Sequence, residues 1–438
     1  MIGGRGKFAM RSMGGQRIAQ CVVVLLSVVL WTASLRAEDL STAPELFPPL
    51  TLQLTLDEAL QRNPALHAAR KQAEAVRYRI PQAKALDDPM IGAEFEGIDD
   101  GEYMDVEYMA SQTWPFPGKR RLRGRIATRE AEIALADVTA LERALIADVK
   151  TAYFALYFIE RAIEINRHNR ELLERAERVA EAHYASGARS MQDVLQAQVE
   201  LAKLSNALIG WQQERTTAVA KLNALLNRAP ATPIVIASKP TVTRLPYTLD
   251  ELESEALASQ PALQAAALAI RRVEAELGLA QLEFLPDVTT RVEARQLHGR
   301  GGLQEYDTMV AVNLPIWFWG KQRAQLKETS ALLEAAKLTA ERVKLQTLFE
   351  VRDAWARLEA AQQAAQLYET SILPQAEQSL HVSQAGYEAE RVEFLQLLEA
   401  ERMWKELEVE YHRTLVQFET AWADVERAVG HTLEGVVP

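Results

Sequence analysis

From Arg125 to Ser186 the chain runs 62 residues without a proline or glycine, and from Lys321 to Leu373 it does so again for 53. Those two residue types are what punctuate helices, so each run predicts one uninterrupted α-helix, the first about 90 Å long at 1.5 Å per residue. Apolar or small residues at 134, 138, 141, 145, 149, 152, 156, 159 and 163 step by threes and fours, which is the seam of a coiled coil. A helix of that length cannot bury its seam within one compact domain and needs long partner helices, from its own chain and from other copies. Each run turns at "YASGARS" or "AGYEAERVE" and returns as a helix of about forty residues.

Two such runs exist because the chain is a duplication. "LDEALQRNPAL" (56–66) aligns with "LESEALASQPAL" (252–263), which puts Pro64 over Pro261 and, at the same shift of 197, Pro89 over Pro286. Gly118-Lys119 falls over Gly320-Lys321 at a shift of 202, and Tyr184 over Tyr387 at 203. The first unit spans 38–246 and the second 247–438, joined through the proline-rich linker 229–246. Each begins with a shorter helix, roughly 55–86 and 248–284, ended by a proline.

Two alternating segments follow in each unit, predicting β-hairpins at 89–115 and 286–317. Ile91, Ala93 and Phe95 share one face of the first segment, with Glu94 and Glu96 on the other. In the second, Met104, Val106, Tyr108 and Ala110 oppose Asp105 and Glu107, and in the second unit Val288, Val292 and Ala294 oppose Arg291, Glu293 and Arg295. These are period-two strands joined by polar, glycine-containing loops. Such alternation alone also fits a half-buried hairpin on a soluble core. Between strand and long helix stand "WPFPGKRR" (114–121) and "LPIWFWGK" (314–321). Trp114, Phe116, Trp317, Phe318 and Trp319 suit a membrane–water interface, with Lys119, Arg120, Arg121, Lys321 and Arg323 just outside it. Proline stops the ladder and glycine allows the change of direction, so the stretch reads as a collar where a barrel ends and a helical tube starts. A packed aromatic corner of a soluble protein is the competing reading.

Residues 1–37 carry Arg5, Lys7, Arg11 and Arg17, then the apolar "CVVVLLSVVLW" (21–31), then "TASLRA". This is a secretory signal, with cleavage expected after Ala37; an uncleaved anchor is the alternative, since Ile18 to Leu35 could barely span a bilayer. Cys21, the one cysteine, precedes the apolar stretch, so the exported chain is expected to hold no disulfide, thiolate metal site or lipid-bearing cysteine. Losing Arg5, Lys7, Arg11, Arg17 and Arg36 takes the net charge from −11 to −16, which argues against a nucleic-acid partner.

At this point the sequence resembles the TolC-like outer-membrane efflux proteins, over essentially the whole mature chain. The resemblance rests on the duplicated order, "TLDEALQRNPAL", "QTWPFPGKRR" and the tip pattern Tyr184, Gly187, Asp193, Leu195, Ala197. "WPFPGK" and "LPIWFWGKQR" look most like the branch serving heavy-metal resistance-nodulation-division (RND) pumps, the CzcC and CusC kind. The resemblance implies a mainly α fold with a transmembrane β part: a homotrimer, a twelve-stranded barrel in outer-membrane lipid, and a periplasmic tube of coiled-coil hairpins. The linker near 229–246 and the terminal segments would form an equatorial belt. The protein would be the passive exit duct of a three-part pump, docked by its helical tips on a periplasmic adaptor and energised by an inner-membrane pump. Tyr184, Gly187, Arg189, Tyr387 and Arg391 would dock the adaptor at the tips near 184–190 and 386–393. Asp193, Glu390, Glu393 and Gln396 are gate candidates, since symmetry-related carboxylates around a narrow axis attract cations; solvated coiled-coil charges are the plainer reading. Glu390 stands where the first tip has Gly187, so adaptor docking is less secure at the second tip. Barrel charges, Glu94, Glu96, Asp105, Glu107, Arg291, Glu293 and Arg295, would keep the channel wet.

Two other classes compete. A soluble periplasmic coiled-coil or adaptor protein would carry the hairpins on a water-soluble core; within the duct reading, drug or small-molecule efflux or type I secretion are alternatives to heavy-metal cations. Histidines 67, 168, 183, 298, 381, 412 and 431 show no paired spacing, so the usual zinc and copper constellations are not expected. Met90, Met104, Met109 and Met309 read as packing that faces lipid or partner side chains. No phosphate-cradling loop or nucleophile motif occurs, and neither catalysis nor a cofactor is expected.

Overall fold

The computed structural model describes residues 49–96, 105–237, 240, 242, 246–297 and 301–433. The signal segment and Cys21 lie outside the described residues, as does Met104.

The first repeat opens with α1 (Leu52–Arg62), α2 (Pro64–Arg77) and α3 (Arg79–Lys84). The second opens with α6 (Leu249–Ser259) and α7 (Pro261–Leu282). A single helix at 55–86 and at 248–284 is therefore corrected to a broken one. Proline disfavours the helical region for the residue before it, and Asn63 and Gln260 both sit at ψ 120°. Each proline then begins the next helix, where its missing N–H costs nothing.

Strands β1 (Met90–Glu96) and β2 (Asp105–Trp114) lead into α4 (Lys119–Ala185). At 67 residues α4 is about 100 Å long. It returns as α5 (Met191–Leu225). In the second repeat β3 (Val288–Leu297) and β4 (Glu305–Val312) lead into α8 (Lys321–Leu367). A π-helical turn, Tyr368–Ile372, joins α8 to α9 (Leu373–Glu388), and α10 (Phe394–Val429) returns. The widened turn lets the helix pass Pro374, which cannot donate to the preceding turn.

The long helices pack side by side, α4 against α5, α7 and α10, and α8 against α7 and α10. Along α4 the seam residues Leu145, Val149, Ala152, Leu156, Ile159 and Ile163 are buried, whereas Leu141 is exposed. Alanine on these faces lets the helices approach closely.

Two equivalent cores pin the short helices to the long ones. In the first, Ala59, Val149, Leu156, Leu222 and Leu226 pack together; in the second, Ala256, Val351, Leu358, Val425 and Val429 do. Polar contacts repeat as well. Thr51 and Thr248 cap α1 and α6, while Asn63 Nδ2 donates to the Leu225 carbonyl and Gln260 Nε2 to that of Ala428, each at 3.0 Å. Linker residue Ile234 is buried in the first core, and Leu50 N donates to the Val235 carbonyl at 2.7 Å. A third core, around Ala180, Val194, Ala197, Leu380, Tyr387 and Phe394, binds the two hairpin tips together.

Candidate functional site

Three places along the helical pairs carry the residues singled out by sequence: the sheet, the collar and the tips. The sheet has order β1-β2-β3-β4, all antiparallel. The β2–β3 pairing runs from Asp105↔Leu297 to Trp114↔Val288, so the hairpins of both repeats merge into one sheet with β1 and β4 as its edges. Register sorts the side chains, because alternate residues point to opposite faces. The row Ile91, Ala110, Val292, Thr308 and the row Ala93, Tyr108, Ala294, Tyr306 lie on one face. That face is uncovered within the chain: Ile91 is 84% and Val310 64% exposed. The row Glu94, Glu107, Arg295, Glu305 lies on the other face. Arg295 pairs with Glu107 at 2.9 Å and Arg291 with Glu293 at 3.0 Å. The Glu96 side chain lies outside the described residues. Met90, Met109 and Met309 fall on this charged face, which leaves side chains, rather than lipid, as what they pack against.

At the collar, Trp317 and Trp319 are exposed at 67% and 59%, and Trp114 and Phe318 are exposed too. Phe116 is half-buried and Lys321 exposed. Arg323 stacks over the Phe318 ring at 5.7 Å. Lys119 departs from its expected place outside the belt. It is 1% exposed, and its Nζ donates to Asp287 at 2.9 Å, to the Leu285 carbonyl at 3.1 Å and to Glu283 at 3.5 Å. Asp287 also accepts from Phe116 N at 2.7 Å. A buried ammonium needs such paired, hydrogen-bonded surroundings, and here they come from the other repeat, which a local motif cannot show. The glycines differ as well. Gly118 has φ +106°, as the sharp turn requires, whereas Gly320 sits at −94° and needs no glycine.

At the tips, Gly187 and Glu390 both take left-handed backbone, at φ +75° and +59°, and the hydrogen-bond pattern is shared. Ala188 N and Arg189 N donate to the His183 carbonyl, as Arg391 N and Val392 N do to that of Gly386. The side chains diverge. Tyr184 is 50% exposed, whereas its counterpart Tyr387 is 1% exposed, packed between His183 and Phe394 at ring distances of 5.5 and 5.3 Å. Tyr387 is therefore corrected from a docking contact to the centre of the tip core. Burial, reinforced by the negative charge of Asp193 and opposed by Arg189, pushes its hydroxyl pKa up to about 12. Arg189 reaches across to the carbonyls of Val392 and Glu390 at 3.2 and 3.3 Å. Among the gate candidates Asp193 is half-buried and Glu390, Glu393 and Gln396 are exposed, as are the docking candidates Gly187 and Arg391.

Sequence reasoning passed over Glu401, which is 7% exposed in α10 beside the tip core. Burial pushes its carboxyl up to about 7, against the opposing charge of Arg175. Glu408, two turns on, is also raised by burial. Its neighbours Ala400 and Leu398 are buried, so the inward helical phase could have flagged Glu401. Among the described residues no three His, Cys, Asp or Glu side chains converge as a metal site, and no helix is long and apolar enough to cross a membrane.

A sequence profile described as "Outer membrane efflux protein" matches residues 55–228 and 252–431. The cobalt-zinc-cadmium resistance protein CzcC of Cupriavidus metallidurans is 24% identical over 387 residues, covering 87% of this chain and 90% of that one. Among solved structures, the outer-membrane channel OprN superposes with a TM-score of 0.77 at 20% identity, covering 86% of this chain and 89% of its own. CusC, described as forming a transmembrane channel, superposes with a TM-score of 0.77 at 17% identity, covering 88% and 93%.

Proposed function

The chain belongs to the outer membrane efflux protein family, and from that premise we propose that three copies form the exit duct for heavy-metal cations in a tripartite pump. Family membership sets aside the soluble periplasmic reading. One observation carries the proposal: a sheet with an apolar face, a charged face and two open edges, continuous with long helical hairpins. Membrane barrels need about eight strands or more, so four must be pooled, and three copies supply twelve. The apolar face then meets lipid and the charged face lines water. On that wall Glu94, Asp105, Glu107, Glu293, Glu305 and Asp307 stand against Arg291 and Arg295, a balance that favours cations. The metal assignment is supported by the likeness to CzcC, a cobalt-zinc-cadmium resistance protein. No bond is made or broken in the duct. The energy enters at the inner membrane, through an adaptor that engages the tips.

Mass measurement and planar-bilayer recording of full-length, detergent-extracted protein test this reading. Three subunits and a cation-preferring pore are expected; a water-soluble monomer or dimer without a pore would sink it. For the cargo, deletion in the host should lower tolerance to cobalt, zinc or cadmium and leave drug tolerance unchanged; the reverse pattern assigns a drug duct. For the gate, Asp193→Asn should change the cation leak of the closed channel, and an unchanged leak removes Asp193 from it.

A further inference from the structure

Just beyond the collar an open pocket of about 430 Å³ lies between the end of α3 and the first turns of α4. Its walls include Lys84, Arg120, Arg121, Arg125 and Arg129, and no acidic side chain lines it. Arg129 is paired with Glu132. Among the described residues the other four form no ion pair. Lys84 is held in place by local construction. Arg120 Nε donates to its carbonyl at 3.0 Å, and its side chain crosses Gly124, where a Cβ would come within 2.6 Å of Lys84 Cγ. The second repeat has no equivalent: at the matching positions stand Gln281, Gln322, Arg323, Leu326, Lys327 and Ala331. Four unpaired cations gathered round one cavity repel one another unless an anion joins them, and the chain as a whole is acidic at −11.

We propose that this pocket binds a phosphate group, supplied by the headgroup of a lipid in the leaflet on the helix side of the membrane. Arginine forks match phosphate oxygens in geometry and charge. The position fits that source. The apolar sheet face ends at Trp114, and Arg121 and Arg125 are the third and seventh residues of α4, within about 10 Å of its start. Lipid phosphates sit just outside an aromatic belt. Bound there, the headgroup would tie α3 to α4 at the point where sheet becomes tube. The inference holds whatever the channel carries.

The test uses full-length protein in detergent, probed by native mass spectrometry with phosphatidylglycerol, with a diacylglycerol lacking phosphate, and with inorganic phosphate as competitor. Phosphatidylglycerol should be retained and diacylglycerol not. Arg121→Gln with Arg125→Gln should weaken retention about thirtyfold, whereas Arg323→Gln with Lys327→Gln in the second repeat should leave it unchanged. Gly124→Leu, which displaces Lys84, should also lose it. Retention that millimolar phosphate cannot displace assigns the site to lipid, and equal binding of phosphate alone assigns it to a soluble phosphate; both keep the site. Equal retention by wild type and the Arg121/Arg125 variant, or no retention by either, overturns it. Because conductance is read separately, failure here would leave the duct reading standing.

Discussion

The ends where the return helices dock and the tips where they begin are both present twice, yet only the docking ends kept their chemistry. At the docking ends, Asn63 and Gln260 make the same amide-to-carbonyl bond, and Leu222 and Leu226 answer Val425 and Val429, all four fully buried. At the tips the backbone is shared and the side chains trade places: Tyr184 out and Tyr387 in, Leu195 52% exposed and Leu398 3%. Docking solves one problem in both repeats, pinning a short helix to the end of a long one. The tips lie against each other, so one had to supply the interior and the other the outer surface.

Even the docking ends differ at one backbone position, and this predicts the largest effect. The return helices end in left-handed residues, Asn227 at φ 56° and Gly430 at φ 96°. A Cβ on Gly430 would lie 2.9 Å from Gln260 Cα and from Pro261 Cδ. Gly430→Ala therefore meets both left-handed strain and overpacking against backbone, roughly 3 kcal/mol or more. Asn227→Ala meets the strain alone, roughly 1 kcal/mol. Thermal midpoints in detergent should fall much further for the first; equal shifts would mean that Pro261 moves aside freely.

Glu401 sharpens the tip half of the comparison. Its counterpart Gln198 is exposed. Below pH 4.5 the Glu401 carboxyl is neutral whether the protein is folded or not, and its burial costs no ionisation. As pH rises from 4.5 to about 7 the unfolded chain ionises first, so stability falls, by roughly 3 kcal/mol once both states are charged. Glu401→Gln should thus raise the midpoint at pH 8 and leave it unchanged near pH 4.5, while Gln198→Glu should do little at either pH. A Glu401→Gln gain that does not depend on pH would place its cause in packing instead.

What the sequence made legible follows from which interactions are periodic. Missing prolines and glycines foretell α4 and α8, alternation foretells four strands and their faces, and a shared order of parts foretells the duplication. Lys119 was out of reach because its partners Glu283 and Asp287 lie more than 160 residues away; a lysine after an aromatic run looks like a surface cation until those carboxylates are placed. Tyr387 was hidden by its own repeat, since it aligns with Tyr184 and only the packing of one hairpin on the other separates the two tyrosines. In the sequence the methionines stay open between lipid and side-chain packing because strand register, not residue type, decides their face.

The smallest effect tests whether the two tips are backbone equivalents. Glu390 bears the left-handed turn at φ +59° that Gly187 bears at +75°. A side chain there costs about 1 kcal/mol relative to glycine, and Glu390 is exposed, its carboxylate in no ion pair among the described residues. Glu390→Gly should therefore stabilise the second tip by that amount, less the extra freedom glycine gives the unfolded chain, and Gly187→Glu should destabilise the first. Amide exchange at Arg391 and Val392, whose N–H groups close the turn on Gly386, would read the gain locally. Slower exchange in Glu390→Gly means that the glutamate is held in strain, and a residue kept there against its backbone preference is kept for its charge. Faster exchange would mean that the turn depends on the side chain, and that the two tips share a shape reached for different reasons.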